Sequence, residues 1–173
     1  MSKNLRMVFI ALLVALGSTI GLLESIIPIP IPLPGVRLGL SNIVVLTTII
    51  VFGFKEGIAV SLLKSVILMF LTGSVSSFLY SFVGAFLSSI AMVIAYKYFS
   101  NIFSLIGVSL WGAIFHNIGQ VSVAAFIVQN VMIFTYLPFL LLIGIFTGVF
   151  VGKTAEFISE NLRRNYSVIF KEK

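Results

Sequence analysis

Lys64 stands in the middle of an apolar stretch, and Glu24, Arg37 and His116 are further ionisable side chains set among segments hydrophobic enough to leave water. A charge at the centre of a bilayer costs about 2.5–3.5 kcal/mol on insertion scales, so such groups need partners. Two readings of Lys64 stand side by side: contact with an anionic group of a substrate, or a structural use, by snorkelling to an interface or by pairing with Glu24. An uncharged amine is a third. Arg37 offers a planar fork that suits carboxylate or phosphate, and its simpler use is as an interfacial anchor. Glu24 is placed to pair with either cation or with a cationic part of a substrate.

Neutral polar groups recur beside these charges. In WGAIFHNIGQ, His116 and Gln120 lie four residues apart, with Gly112 one turn earlier and Asn117 adjacent, so that one helix face is small and polar. Groups of this kind commonly hydrogen-bond between helices, and three around one turn also suit a polar cavity that orients a ligand. Ser77, Tyr80, Ser81, Gly84 and Ser88 recur at spacings of three and four. Ser81, Gly84 and Ser88 read as bundle packing, while Ser77 and Tyr80, nearer the outer end, can reach a ligand. Asn42 has two uses open, a helix cap or a contact to the same ligand.

The elements that must position these groups are membrane spans. The chain has 173 residues, 60% of them hydrophobic and only 9% charged, with a mean hydropathy of +1.20. A soluble domain of this size cannot hide so many long apolar helices. About 20 apolar residues cross a bilayer, which predicts an all-α bundle of about six transmembrane helices at 5–27, 38–52, 57–71, 75–96, 103–128 and 131–151. The second and third are short and are expected to tilt little or to borrow flanking residues. The start resembles a signal peptide in having Lys3 and Arg6 before an apolar run, but the run continues to 27 without an A-x-A-like cleavage site. Residues 1–173 read as a single integral membrane domain with a short cytoplasmic tail over about 153–173, of which 156–173, alternating apolar residues with charges, suits the inner membrane surface.

Between the first two spans, PIPIPLPGVRLGLSN (28–42) places Pro28, Pro30, Pro32 and Pro34 where they enforce extended backbone. Non-helical backbone is tolerated only at the surface or packed in protein around a cavity, so this segment is the expected place for a binding site. Gly35 and Gly39 permit tight turns there. Lys3, Arg6, Lys55, Lys97, Lys153, Arg163, Arg164, Lys171 and Lys173 fall on one side of the six-span topology, with Arg37 alone on the other. The positive-inside rule then places both termini in the cytoplasm of a multi-pass cell-membrane protein. The net charge of +6 reflects this bias rather than nucleic-acid binding, since no basic-aromatic patch lies outside the spans.

The chain has no cysteine and a single histidine, too few for a thiolate or His-cluster metal site. All five acidic residues are glutamate. Neither a metal nor another cofactor is called for. Span one carries Ala11 with Ala15 and Gly17 with Gly21, small-xxx-small pairs that let another helix approach closely, whether within the chain or from a partner subunit.

PGVRLGLSNIVVL, LTGSVSSFLYSFVGA and WGAIFHNIGQ resemble the Gx transporter family, often labelled heptaprenyl diphosphate synthase component I, and the resemblance runs through nearly the whole membrane part. That family in turn resembles the substrate-binding S components of energy-coupling factor (ECF) transporters. The resemblance implies an outward-facing pocket covered by the loop after helix one. It also implies a first helix whose AxxxA pattern, matched by Ala11 and Ala15, docks a transmembrane coupling subunit. Energy would come from partner ATPases, since the chain has no GxxxxGK[ST] loop. A prenyl diphosphate synthase resembles others in holding Mg²⁺ with aspartate-rich motifs, and this chain has no aspartate.

The leading expectation is therefore a non-enzymatic substrate-binding membrane subunit for uptake of a small organic molecule carrying an anionic group. Glu24, Arg37, Asn42, Lys64, Ser77, Tyr80, His116, Asn117 and Gln120 form its site, and Ala11, Ala15, Gly17 and Gly21 its docking face. The competing class is a non-catalytic accessory membrane subunit in prenyl diphosphate or quinone biosynthesis. An independent ion-coupled carrier using Glu24, Lys64 or His116 is the third.

Overall fold

The computed structural model describes residues 3–27 and 36–170. Six α-helices run alternately up and down: α1 (Lys3–Glu24), α2 (Asn42–Val51), α3 (Phe54–Thr72), α4 (Val75–Tyr98), α5 (Leu105–Val128) and α6 (Leu137–Phe170), the last preceded by a 3-10 turn over Val131–Tyr136. Among the described residues α1, α4, α5 and α6 are long and apolar enough to cross a membrane, and no strand is present. The result is an all-α membrane bundle, as the hydropathy predicts. One end of it carries the α1–α2 connection; the other carries the corners at 52–54 and 99–104.

Local chemistry sets the boundaries. Ser74 and Ser104 cap α4 and α5 by accepting from the backbone N–H groups of Ser77 and Gly107. Gly73, at φ +66°, terminates α3 in the left-handed conformation that glycine adopts without a Cβ clash. At the opposite end the exposed Arg6 donates to the Phe52 carbonyl at 2.9 Å and to Glu56 at 2.6 Å, tying α1 to the α2–α3 corner.

Helix α2 departs most from expectation. It begins at Asn42 rather than at 38, and at 10 residues it rises about 15 Å, half of a hydrocarbon core of about 30 Å. It does not borrow flanking residues. Every position from 41 to 50 is buried, as suits a helix that is apolar all round and central to the bundle. Val45, Leu46, Ile49 and Ile50 pack with Met92, Val108 and Ala155 from α4, α5 and α6, and Val44 packs with Val14 and Val60 from α1 and α3. The non-helical residues 36–41 lead into α2, with Val36, Arg37, Gly39 and Ser41 buried. Span six starts at 131 as expected, but its first turns, 131–136, are 3-10 and α6 then runs 34 residues, well past 151. Its continuation past 153 stays with the bundle as far as Ala155 and Ser159, which are buried.

Small residues let the outer helices close around α2. A Cβ added at Gly119 would lie 2.9 Å from the Gly84 Cα, and one at Gly152 would lie 2.6 Å from the Ile106 Cα, so α4–α5 and α5–α6 touch backbone to backbone. The small residues of α1 divide. Gly17 and Gly21 face inward against Lys64 and Leu68 of α3, so they serve the chain itself and not a partner, while Ala11 and Ala15 remain on the exposed face.

Gly119→Val should therefore destabilise the bundle by about 1–3 kcal/mol through overpacking, whereas Ala11→Val should stay within about 0.5 kcal/mol of wild type. Thermal unfolding in detergent compares the two, and equal midpoints would contradict the close α4–α5 approach.

Candidate functional site

The site forms where residues 36–41 enter the bundle beside the N-terminus of α2. Gly39 has φ +85°, the left-handed turn that its lack of a Cβ makes accessible. This turn aims the Gly39 and Leu40 amides at the Glu24 Oε1, which accepts from both, the latter at 3.1 Å. Glu24 is the last residue of α1 and only 2% exposed. A carboxylate at a helix N-terminus satisfies otherwise unpaired N–H groups and complements the helix dipole. The Gly39 and Leu40 carbonyls accept from Asn42 and Ile43, starting α2.

Arg37 is held by its backbone. The Gln120 side chain accepts from the Arg37 N–H at 2.7 Å and donates to the Arg37 carbonyl at 2.9 Å, the pairing a neighbouring strand would supply. The Thr147 hydroxyl of α6 donates to the Leu38 carbonyl at 3.3 Å. The Arg37 guanidinium reaches Ser81 at 3.5 Å, while its Nε is buried without a hydrogen-bond partner among the described residues.

Lys64 approaches from α3, its stem running past Gly17. Its ammonium donates to the Ser41 hydroxyl at 2.6 Å and to Asn42 Oδ1 at 3.1 Å, and Asn42 Nδ2 donates to Ser88 of α4 at 3.2 Å. Lys64 thus neither snorkels nor pairs directly with Glu24, although the two interact electrostatically across the start of α2. Neutral oxygens suffice because hydrogen bonds from a charged donor are stronger than neutral ones. Nor does Asn42 cap α2: Ser41 is the cap residue, without a side-chain cap bond, and the Asn42 side chain bridges α3 and α4 instead.

His116 is buried with both ring nitrogens lacking a hydrogen-bond partner among the described residues. Its Nδ1 lies towards Gly84, and its Cδ2 towards Gly39. Glu24, Arg37, Asn42, Lys64, His116 and Gln120 are thereby brought together. Three other candidates stand apart. Asn117 turns towards α6 and donates to the Leu140 carbonyl at 3.0 Å. Tyr80 is buried in an apolar cluster with Val36, Val121 and Leu140. Ser77 is half-buried in the first turn of α4 and its N–H is bound by Ser74.

Ser41 and Thr147 are contributors that the sequence reading did not single out. Ser41 precedes Asn42 in the same motif, but hydroxyls in apolar helices are too common to be marked by spacing. Ser81 and Ser88, read as packing, accept from Arg37 and Asn42. The prolines and Gly35 of the expected binding segment, residues 28–35, lie outside the described residues.

The family model described as heptaprenyl diphosphate synthase component I matches residues 13–158, most of the chain and all of the site, and the chain belongs to that family. No curated protein and no solved structure matches it.

Because Gln120 supplies both partners of the Arg37 peptide groups, Gln120→Ala should cost about 1–3 kcal/mol. It should also speed amide hydrogen exchange over 36–41 at least about tenfold. Unchanged protection, read by mass spectrometry of that peptide, would show that the clasp does not hold the segment.

Proposed function

We propose that this member of the heptaprenyl diphosphate synthase component I family is the substrate-binding membrane subunit of an ECF-type transporter, taking up a small organic molecule. The observation that carries the reading is the broken element at 36–51, where non-helical backbone meets a half-depth helix among buried charged groups. Transporters place substrate sites at such interruptions, because half-helix ends and freed backbone groups there can face a ligand instead of lipid. Arg37, His116 and the free Glu24 Oε2 would meet the substrate, with Asn42 and Gln120 shaping the site and Lys64 fixing the α2 start. Tyr80, Ser77 and Asn117 are outer contributors in this reading, reached only if the substrate extends beyond the charged cluster.

The distribution of Lys and Arg supports a multi-pass cell-membrane orientation with both termini in the cytoplasm. Ala11 and Ala15, small and on the exposed face of α1, suit close approach by a transmembrane coupling subunit whose ATPases would drive transport. The chain itself is read as non-catalytic, since it has no aspartate to hold Mg²⁺ against a diphosphate.

The description of the family as one component of a synthase favours a second reading, a non-catalytic accessory subunit in prenyl diphosphate or quinone biosynthesis. Native mass spectrometry of the gently extracted protein separates the two. The transporter reading predicts a retained small molecule at one per chain. It also predicts that Ala11→Leu and Ala15→Leu each weaken co-purification of the coupling subunit at least about tenfold while the small molecule stays bound. An empty protein accompanied by prenyl-transferring enzymes would sink it in favour of the accessory role.

A further inference from the structure

The buried cluster does not balance its own charge. Arg37 and Lys64 are 4% and 2% exposed, and Glu24, at 2%, is the acidic group beside them. The sequence supplies no other candidate. Of the remaining glutamates, Glu56 pairs with Arg6 at the far end, Glu156 and Glu160 line a cavity with Ser104 at that same end, and Glu172 lies near the C-terminus. Residues 28–35 are PIPIPLPG and carry no charged or polar side chain. With Lys64 held as an ammonium by two oxygen acceptors, pairing Glu24 with one cation leaves the other without an acidic partner, so the cluster carries one cation in excess.

Which cation faces a ligand follows from the hydrogen bonds. Lys64 is engaged by Ser41 and Asn42, and the α2 N-terminus by Glu24. Among the described residues the Arg37 guanidinium keeps an unpartnered Nε and one long bond, to Ser81. We infer that the site takes a ligand bearing one singly charged anionic group, a carboxylate in preference to a doubly charged phosphate or sulfate, and seats that group on the Arg37 guanidinium. A single negative charge neutralises the cluster, whereas a dianion would bury an excess charge of the opposite sign. Among the described residues Glu24 Oε2 and the ring nitrogens of His116 have no partner, and the carboxylate oxygen together with the one unprotonated imidazole nitrogen favours an N–H or O–H donor elsewhere on the same molecule, because a buried acceptor left unmatched is costly. This inference rests on the substrate-binding reading.

Acetate and sulfate serve as probes on dialysed, detergent-purified protein, with the thermal midpoint followed at matched ionic strength. Sulfate stabilises folded proteins generally by exclusion, so the readout is the response of wild type minus that of each variant. Acetate should stabilise wild type in a saturable way, Arg37→Gln should weaken that response at least about tenfold, and Arg37→Lys should retain part of it. Arg6→Gln, at the far end, should leave it intact. Glu24→Gln adds one net positive charge and should strengthen acetate binding about threefold or more, a result of opposite sign that decides the matter if Arg37→Gln fails to fold. An acetate response equal in wild type, Arg37→Gln and Glu24→Gln overturns the inference. So does a neutral or cationic small molecule retained by the extracted protein, an outcome that would leave the binding-subunit reading standing.

Discussion

A chain that breaks its helix at membrane depth must satisfy the freed peptide groups without water, and the rest of this structure follows from how residues 36–41 do so. Glu24 takes the Gly39 and Leu40 amides, Gln120 takes both polar groups of Arg37, and Thr147 takes the Leu38 carbonyl. These side chains come from α1, α5 and α6. An unsatisfied peptide group in hydrocarbon costs several kcal/mol, so the positions of three helices are constrained by a six-residue segment. The buried charges are a consequence: once Glu24 is needed inside, cations near it become tolerable.

That arrangement explains why the polar residues were legible in the sequence and their partners were not. Lys64, Glu24, Arg37 and Gln120 stand out because an apolar background makes each expensive, and Gly39 marks a turn. Pairing is another matter. Lys64 bonds to Ser41 and Asn42 because α2 starts at 42, and nothing in the pattern IVVLTTIIV tells a half-depth helix buried on all sides from a full span facing lipid. Apolar periodicity vanishes when every face is buried. Of the two expectations for span two, that it tilts little or that it borrows flanking residues, the second fails for this reason, as does the expectation of an Asn42 cap.

The small residues of α1 show the same limit. Two pairs four apart, Ala11 with Ala15 and Gly17 with Gly21, are equivalent as sequence. Their angular offset on the helix sends one pair outward and the other against Lys64 and Leu68. Gly17 matters to the charged cluster because a larger residue there would meet the Lys64 stem, so the α1–α3 contact and the polar interior are linked through one glycine.

Helix α6 gives the entry segment a long reach. Thr147 touches Leu38 near one end of the helix, and the same helix continues without a break to Phe170, about 35 Å farther along its axis. Beyond Thr147, Gly152 meets Ile106 backbone to backbone and Ala155 and Ser159 are buried, so the helix that takes the Leu38 carbonyl is clamped to the bundle for about three further turns, and the entry segment inherits its position from packing at the opposite end.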